Sequence, residues 1–207
     1  MQKLQDVIEV LRKYIPEEAV LPASAIFKNF SFLLKITKSR RSKTGDYTHP
    51  GKITGHIITI NHDLNKYAFL ITFVHEVAHM ACWEKHKNTV SPHGIEWKNE
   101  FKDLLEPFLN SYVFPASLLS KLNKYIQNPS ASSCIDINLM RELKKYNDNY
   151  GDFFLLEEIG ENSVFSLRDG RIFVKGKLQR KRFKCVELSS RKNYLISPVA
   201  EVKQIEN

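Results

Sequence analysis

The sequence predicts an α+β protein, in which a helix-rich domain holding a small antiparallel sheet precedes a small β-rich C-terminal module. Three observations carry this expectation. Apolar residues recur at helical spacing in successive segments from Leu4 to about Tyr146. Two early runs, 31–37 and 53–60, have strand character instead. After Gly151 the texture changes to short apolar runs separated by turn signals.

The elements follow in order. Leu4, Val7, Ile8, Leu11 and Ile15 make a first helix ending near Pro16, and a shorter one is expected over 22–30. Phe32, Leu34 and Ile36 alternate with their neighbours as a strand does, and the basic, Gly-containing stretch 39–51 reads as a loop or hairpin connection. The β-branched run 53–60 is a second strand, broken by Asn61-His62-Asp63. A long, mostly apolar helix spans about 64–87, and another runs from His93 or Gly94 to about Phe108. Pro115 opens a further helix to about Gln127. Residues 128–134 are a linker of small residues, and Asp136 caps a last helix to about Tyr146. The domains expected are therefore 1–127, a linker and helix over 128–150, and a basic β module over 151–207.

A chain of 207 residues, 43% hydrophobic and 26% charged, suffices for one core and a small extra module, and excludes disordered or fibrous classes. The N-terminal run mixes charges with apolar residues, unlike a signal peptide. The longest uncharged run, 107–120, is too short to span a bilayer. A cytoplasmic protein, cytosolic or nucleoid-associated and without membrane contact, is expected. Cys82, Cys134 and Cys185 are odd in number and form no paired clip, which fits a reducing compartment and small buried hydrophobes.

All seven histidines fall between His49 and His93. His75-Glu76-Val77-Ala78-His79 is an H-E-x-x-H motif inside the long predicted helix. Four residues make slightly more than one turn, so both imidazoles leave one face and can grip one ion, with Glu76 beside them at the distance of a bound water. Zinc is the expected ion, one per chain, because neutral imidazole suits it and three protein ligands leave a position for water. The third ligand is open between His93, where the chain has turned back, and Glu100, on the following helix. His86 lies about 10 Å along the axis from His79 and cannot share the ion. Cys82 is read as helix packing, and His49, His56 and His62 as surface or supporting residues.

The run HEVAHMACWEKHKNTVSPHGIEWK resembles the SprT-like zinc metalloprotease family, the Spartan and SprT-related enzymes, which pairs H-E-x-x-H with a downstream H-G-x-x-W/F. The likeness is specific over about twenty-five residues and looser over 1–127. It implies a zincin-like catalytic domain with His75, His79 and His93 as zinc ligands and Glu76 as catalytic base. It also implies a polypeptide substrate and a strand beside the cleft; 55–60, just before the helix, is the candidate to pair with it. Tyr47 and Tyr112 are candidates to stabilise the oxyanion, and Trp97 is read as a core anchor.

Between Arg168 and Lys192 ten basic residues face only Asp169 and Glu187, a net +8 that equals the charge of the whole chain. Where the family commonly carries a zinc ribbon, this chain has one cysteine, so a degenerate, metal-free module packed on Phe165, Leu167, Phe173 and Phe183 is expected. Clustered Arg171, Lys175, Lys177, Arg180, Lys181, Arg182 and Lys184 are candidates for phosphate contact, with Phe173, Phe183 and Tyr194 able to stack bases or fill a core. A second basic run, Lys35, Lys38, Arg40, Arg41 and Lys43, adds to the charge. The family resemblance implies DNA, single-stranded or damaged, as partner, and a repair function on DNA-crosslinked proteins. The rivals are a DNA-associated scaffold with a low-turnover zinc site, and a cytosolic peptidase without a nucleic-acid role.

Overall fold

The computed structural model describes residues 4–40, 42–51, 55–129 and 136–205, and confirms a mixed α+β chain. It divides into two compact units, Met1–Asn147 and Asp148–Asn207.

In the first unit, α1 (Leu4–Tyr14) and α2 (Glu17–Asn29) lead to the sheet strands β1 (Phe32–Thr37), β2 (Gly45–Thr48) and β3 (His56–Asn61). The helix α2 starts earlier than its pattern suggested. Pro16 holds an extended conformation at the N-cap, and Glu17 and Glu18 sit at the positive helix end, so Pro22 falls inside. The long α3 (Lys66–His86) follows, capped by the Asn65 side chain, which accepts from the Ala68 N–H at 2.9 Å. Phe69, Leu70, Ile71, Phe73, Val74, Val77 and Ala78 are all fully buried, so α3 is apolar all round and forms the centre of the core. Next come α4 (Ile95–Leu105), a 3₁₀ turn at Glu106–Phe108, α5 (Ala116–Tyr125) and α6 (Ile137–Lys144). Asp136 caps α6 as expected, accepting from Leu139 N–H at 2.8 Å. Leu139 and Leu143 join the first core, and Asn65 Nδ2 donates to Leu143 O at 2.9 Å, so α6 belongs to this unit. The expected linker lies partly at 130–135, with Cys134, outside the described residues.

The sheet corrects one expectation: it is mixed, with β1 parallel and β2 antiparallel to β3 in the order β1-β3-β2. The chain passes from β1 to the far edge, forms β2 inside the stretch read as a loop or hairpin connection, and returns antiparallel to it in the middle. First and last strands therefore run the same way. The crossing segment is pinned by buried Asn61, whose Nδ2 donates to Arg40 O and Lys43 O at 3.2 and 3.0 Å. A second correction follows. The strand β3 is central, with β1 and β2 on its two edges, so 55–60 has no free edge for a substrate. The edge near the H-E-x-x-H helix belongs to β2.

The second unit is one antiparallel sheet of β4 (Phe154–Leu155), β5 (Val164–Leu167), β6 (Ile172–Gln179), β7 (Arg182–Glu187), β8 (Asn193–Ile196) and β9 (Glu201–Ile205). The order is β4-β9-β5-β6-β7-β8, a meander whose last strand returns beside its first long one. Leu156, Ile159, Phe165, Phe173, Cys185 and Val202 form its core, with Leu167 and Phe183 packed against it. β9 was invisible to patterning because only Val202 of its five residues is buried.

Candidate metal centre

His75 and His79 leave one face of α3 one turn apart, and their Nε2 atoms lie 3.2 Å from each other. After α3 the chain turns at Lys87 (φ 53°), runs through a short loop, and turns again at His93 (φ 57°), which brings His93 Nε2 to 3.4 Å from His75 Nε2. Left-handed backbone at non-glycine residues carries strain, and at His93 it aims the ring back over α3. Trp97, one turn into α4 and 1% exposed, packs against all three imidazoles at ring distances of 4.7, 5.3 and 4.7 Å. It is a core anchor, as expected, and also a wall of the site.

These three histidines lie close enough to hold one metal ion, their donor atoms all within 4.8 Å of one another. Two nitrogens about 2.1 Å from one tetrahedral ion stand about 3.4 Å apart, so the Nε2 spacings fit such an ion. The ligand chemistry fits too. Burial first, then the neighbouring imidazoles, push His75 down to about 3 and His79, beside His93, down to about 4, and burial lowers His93. All three are thus neutral, metal-binding bases at neutral pH. One feature is weak: His75 Nδ1 is buried with no partner among the described residues, so no carboxylate or carbonyl orients that ring. Glu100 is elsewhere, its Oε1 paired with Lys85 Nζ at 2.5 Å.

Glu76, 7% exposed, points under β2. The pairing of Asn61 N–H with Thr44 O at 2.8 Å sets the alternation of β2, so the backbone groups of Gly45 and Tyr47 face its outer edge. The Tyr47 N–H donates to the Glu76 carboxylate there. A Cβ on Gly45 would stand 2.6 Å from both Glu76 Oε1 and Thr72 Cγ2, so only glycine lets the strand come this close. Burial first, then Asp46, push the Glu76 carboxyl up to about 8, opposed by Arg40, Lys43 and the Tyr47 N–H.

Beside the triad opens a cavity of about 390 Å³, bounded by His79, His93 and Trp97 on one side and Tyr47, Trp83 and Val90 on the other. The Tyr47 hydroxyl lies 2.8 Å from His56 Nδ1, and His56 Nε2 is 3.4 Å from Glu84 Oε1. Burial first, then Glu84, keeps the Tyr47 phenol protonated well beyond its usual range. Of the two tyrosine candidates, Tyr47 is at the cavity, whereas Tyr112 does not line it and is 83% exposed. His49 stacks on Trp83, His62 is exposed, and Cys82 is a buried wall residue. Sequence reasoning missed Gly45, Trp83 and Lys87; the only signal was a glycine in a basic loop and a tryptophan one turn after His79.

The second unit sorts the basic residues. Lys175 is a correction: it is 4% exposed, its ammonium donating to Ile159 O at 2.5 Å and lying over Phe183, because its position on β6 faces the core. Arg171 pairs with Asp169 at 2.8 Å, and Arg168 with Glu201 at 2.6 Å. Lys177, Arg180, Lys181, Arg182 and Lys184 are exposed on the β6–β7 hairpin and have no ion pair among the described residues. Phe173 is fully buried and closed to a base, while Phe183 and Tyr194 pack against the same core. In the first unit Arg40 donates to Asn61 Oδ1 and Thr59 Oγ1 at 2.9 and 3.0 Å, Lys43 pairs with Asp46 at 2.7 Å, and Arg41 lies outside the described residues.

No protein-family model, curated protein or solved structure matches the chain. Among the described residues, no helix is long and apolar enough to cross a membrane.

Proposed function

We propose that the chain is a zinc-dependent endopeptidase of SprT-like type that acts on DNA-associated or DNA-crosslinked proteins. The observation that carries the reading is the convergence of three neutral imidazoles with a buried carboxyl at the free edge of β2. His75, His79 and His93 would hold zinc, which when bound would supply Lewis acidity for the scissile carbonyl and the attacking water. Glu76 takes the proton of the attacking water and hands it to the leaving amine. One carboxyl beside the histidines serves both steps, ionised to take the proton and protonated to release it. An extended substrate adds to the outer edge of β2, where Gly45 and Tyr47 present their backbone groups. It then competes with Glu76 for the Tyr47 N–H. The Tyr47 side chain, held by His56, forms the adjoining wall.

The hairpin of the second unit recruits DNA through Lys177, Arg180, Lys181, Arg182 and Lys184, five exposed cations without acidic partners among the described residues. A second reading, a DNA-associated scaffold with a low-turnover zinc site, is favoured by the unpartnered His75 Nδ1 and opposed by Glu76, which a structural site does not need.

The test joins metal analysis to a protease assay with and without single-stranded DNA. Expected are one zinc per chain, lost in His75→Ala/His79→Ala, and DNA-dependent cleavage of a DNA-bound protein. Glu76→Gln should keep the zinc and lose about 10²–10⁴-fold in rate. Metal-free protein from zinc-replete medium, or turnover unchanged in Glu76→Gln, refutes the reading.

A further inference from the structure

The cavity beside the triad has a composition that the hydrolytic mechanism does not use. At about 390 Å³ it lies at the small end of ligand pockets, roughly 300–1,000 Å³, and suits one large side chain. Its walls beyond the histidines are mainly Tyr47, Cys82, Trp83, Val90, Pro92 and Trp97, and no carboxylate among the described residues lines it. Among the described residues, the one permanent charge on its lining is Lys87.

Lys87 is placed at a cost. It closes α3 with φ 53° and ψ −128°, its N–H bonded to Trp83 O at 2.7 Å, in a backbone region that favours glycine. Its ammonium lies 4.0 Å from the centre of the Trp83 ring, and His49 stacks on that indole within 1° of parallel. The cation thus rests on an aromatic wall of the cavity at its solvent-exposed rim.

We propose that this cavity is the side-chain subsite that selects the cleavage position, taking a large aromatic or aliphatic residue, with Lys87 as the residue that rejects lysine and arginine. This rests on the peptidase reading of the same site. An apolar side chain entering the cavity is desolvated against Trp83, Val90, Pro92 and Cys82. A basic one meets Lys87 with no carboxylate to pair with among the described lining residues, and like-charge juxtaposition disfavours it.

The test has two arms. Zinc-loaded wild type is given peptides that differ only in Phe, Leu, Asp or Lys beside the scissile bond. Cleavage beside Phe and Leu should exceed that beside Lys by at least about 10-fold. Lys87→Glu should raise cleavage beside Lys by about 10-fold, and Val90→Phe should suppress cleavage beside Phe. Lys87→Gly, which relieves the backbone, keeps the fold while removing the cation. Both tryptophans of the chain, Trp83 and Trp97, line the cavity, so their fluorescence reports occupancy without turnover. A saturable change is expected with N-acetylphenylalaninamide and not with N-acetyllysinamide, the second responding only in Lys87→Gly and Lys87→Glu. Equal responses to both amides, no response to either, strongest cleavage beside Asp, or a cleavage profile unchanged in Lys87→Glu overturns the proposal. Selective fluorescence changes without cleavage of any peptide uphold the subsite and count against the peptidase reading instead.

Discussion

Replacing Gly45 by alanine sets a methyl group against the most tightly packed point of the site. Its carbon would stand 2.6 Å from Glu76 Oε1 and 2.6 Å from Thr72 Cγ2, where ordinary contact begins at 3.4 Å. The missing distance is just under 1 Å on two sides, and neither neighbour yields freely. Thr72 is 2% exposed on the core helix, and Glu76 is held by the Tyr47 N–H. If β2 withdraws, overpacking strain of about 1–3 kcal/mol is expected. If Glu76 moves instead, it gives up its hydrogen bond from Tyr47, on the order of 1 kcal/mol. Either way the base and the β2 edge are displaced from one another by about 1 Å, which costs on the order of 10²-fold in rate. The nearest atoms to the new methyl include none of the three histidines, so metal content should stay at the wild-type value. Urea denaturation of zinc-loaded protein, metal analysis and the peptidase assay read the three effects separately. A Gly45→Ala protein with wild-type stability and turnover would show that β2 does not press on Glu76, and the account of the base would fall with it.

In DNA binding, Arg180→Ala/Lys181→Ala/Arg182→Ala should weaken affinity and flatten the slope of log K against log salt by about 2, at ~0.7 per single-strand phosphate contact. Lys175→Ala should leave the slope alone but destabilise the second unit by about 1–3 kcal/mol, as it strands the Ile159 carbonyl and opens a void; a changed slope with unchanged stability would return Lys175 to the surface. Stability against pH is cleanest in metal-free Glu76→Gln, where the oppositely signed carboxyl is gone. His75 and His79 titrate near 6.5 unfolded but near 3 and 4 folded, so below pH 6.5 the unfolded state binds more protons and stability falls as pH drops. The loss should reach about 2 kcal/mol per histidine by pH 5 and cease below their folded values. Zinc should restore stability above pH 6, and a flat profile between pH 7 and 5 in the metal-free protein would contradict the burial of these rings.

Much of the helical frame was legible because its signals are local. Asp136 read as a cap, and the mostly apolar stretch 64–87 read as a long helix, since capping and periodicity depend on neighbours within a few residues. The sheet was less legible. Strand direction depends on which strand fills the middle, and nothing within 32–61 announces that the hairpin folds inward. Lys175 shows the same limit from the other side. In a run of cations, strand alternation with a register shift between Lys175 and Leu178 decides which one turns inward, and a charge pattern carries no trace of that.

By itself, the sequence determined the pair His75 and His79, because one helical turn fixes their separation, and it nominated Glu76 between them. It narrowed the third ligand to two residues and chose between them only by resemblance to a family. The tertiary structure decided the rest: that His93 returns to within 3.4 Å of His75 while Glu100 turns to Lys85, and that β2 supplies the edge over Glu76. Within the +8 segment it also separated a buried lysine and two ion-paired arginines from five hairpin cations that have no ion pair among the described residues. The physical reason is common to all of these. Spacing along a helix is set by covalent geometry and local hydrogen bonds, whereas a ligand from a loop, the free edge of a strand and the inward turn of a side chain are set by which distant surfaces exclude water together.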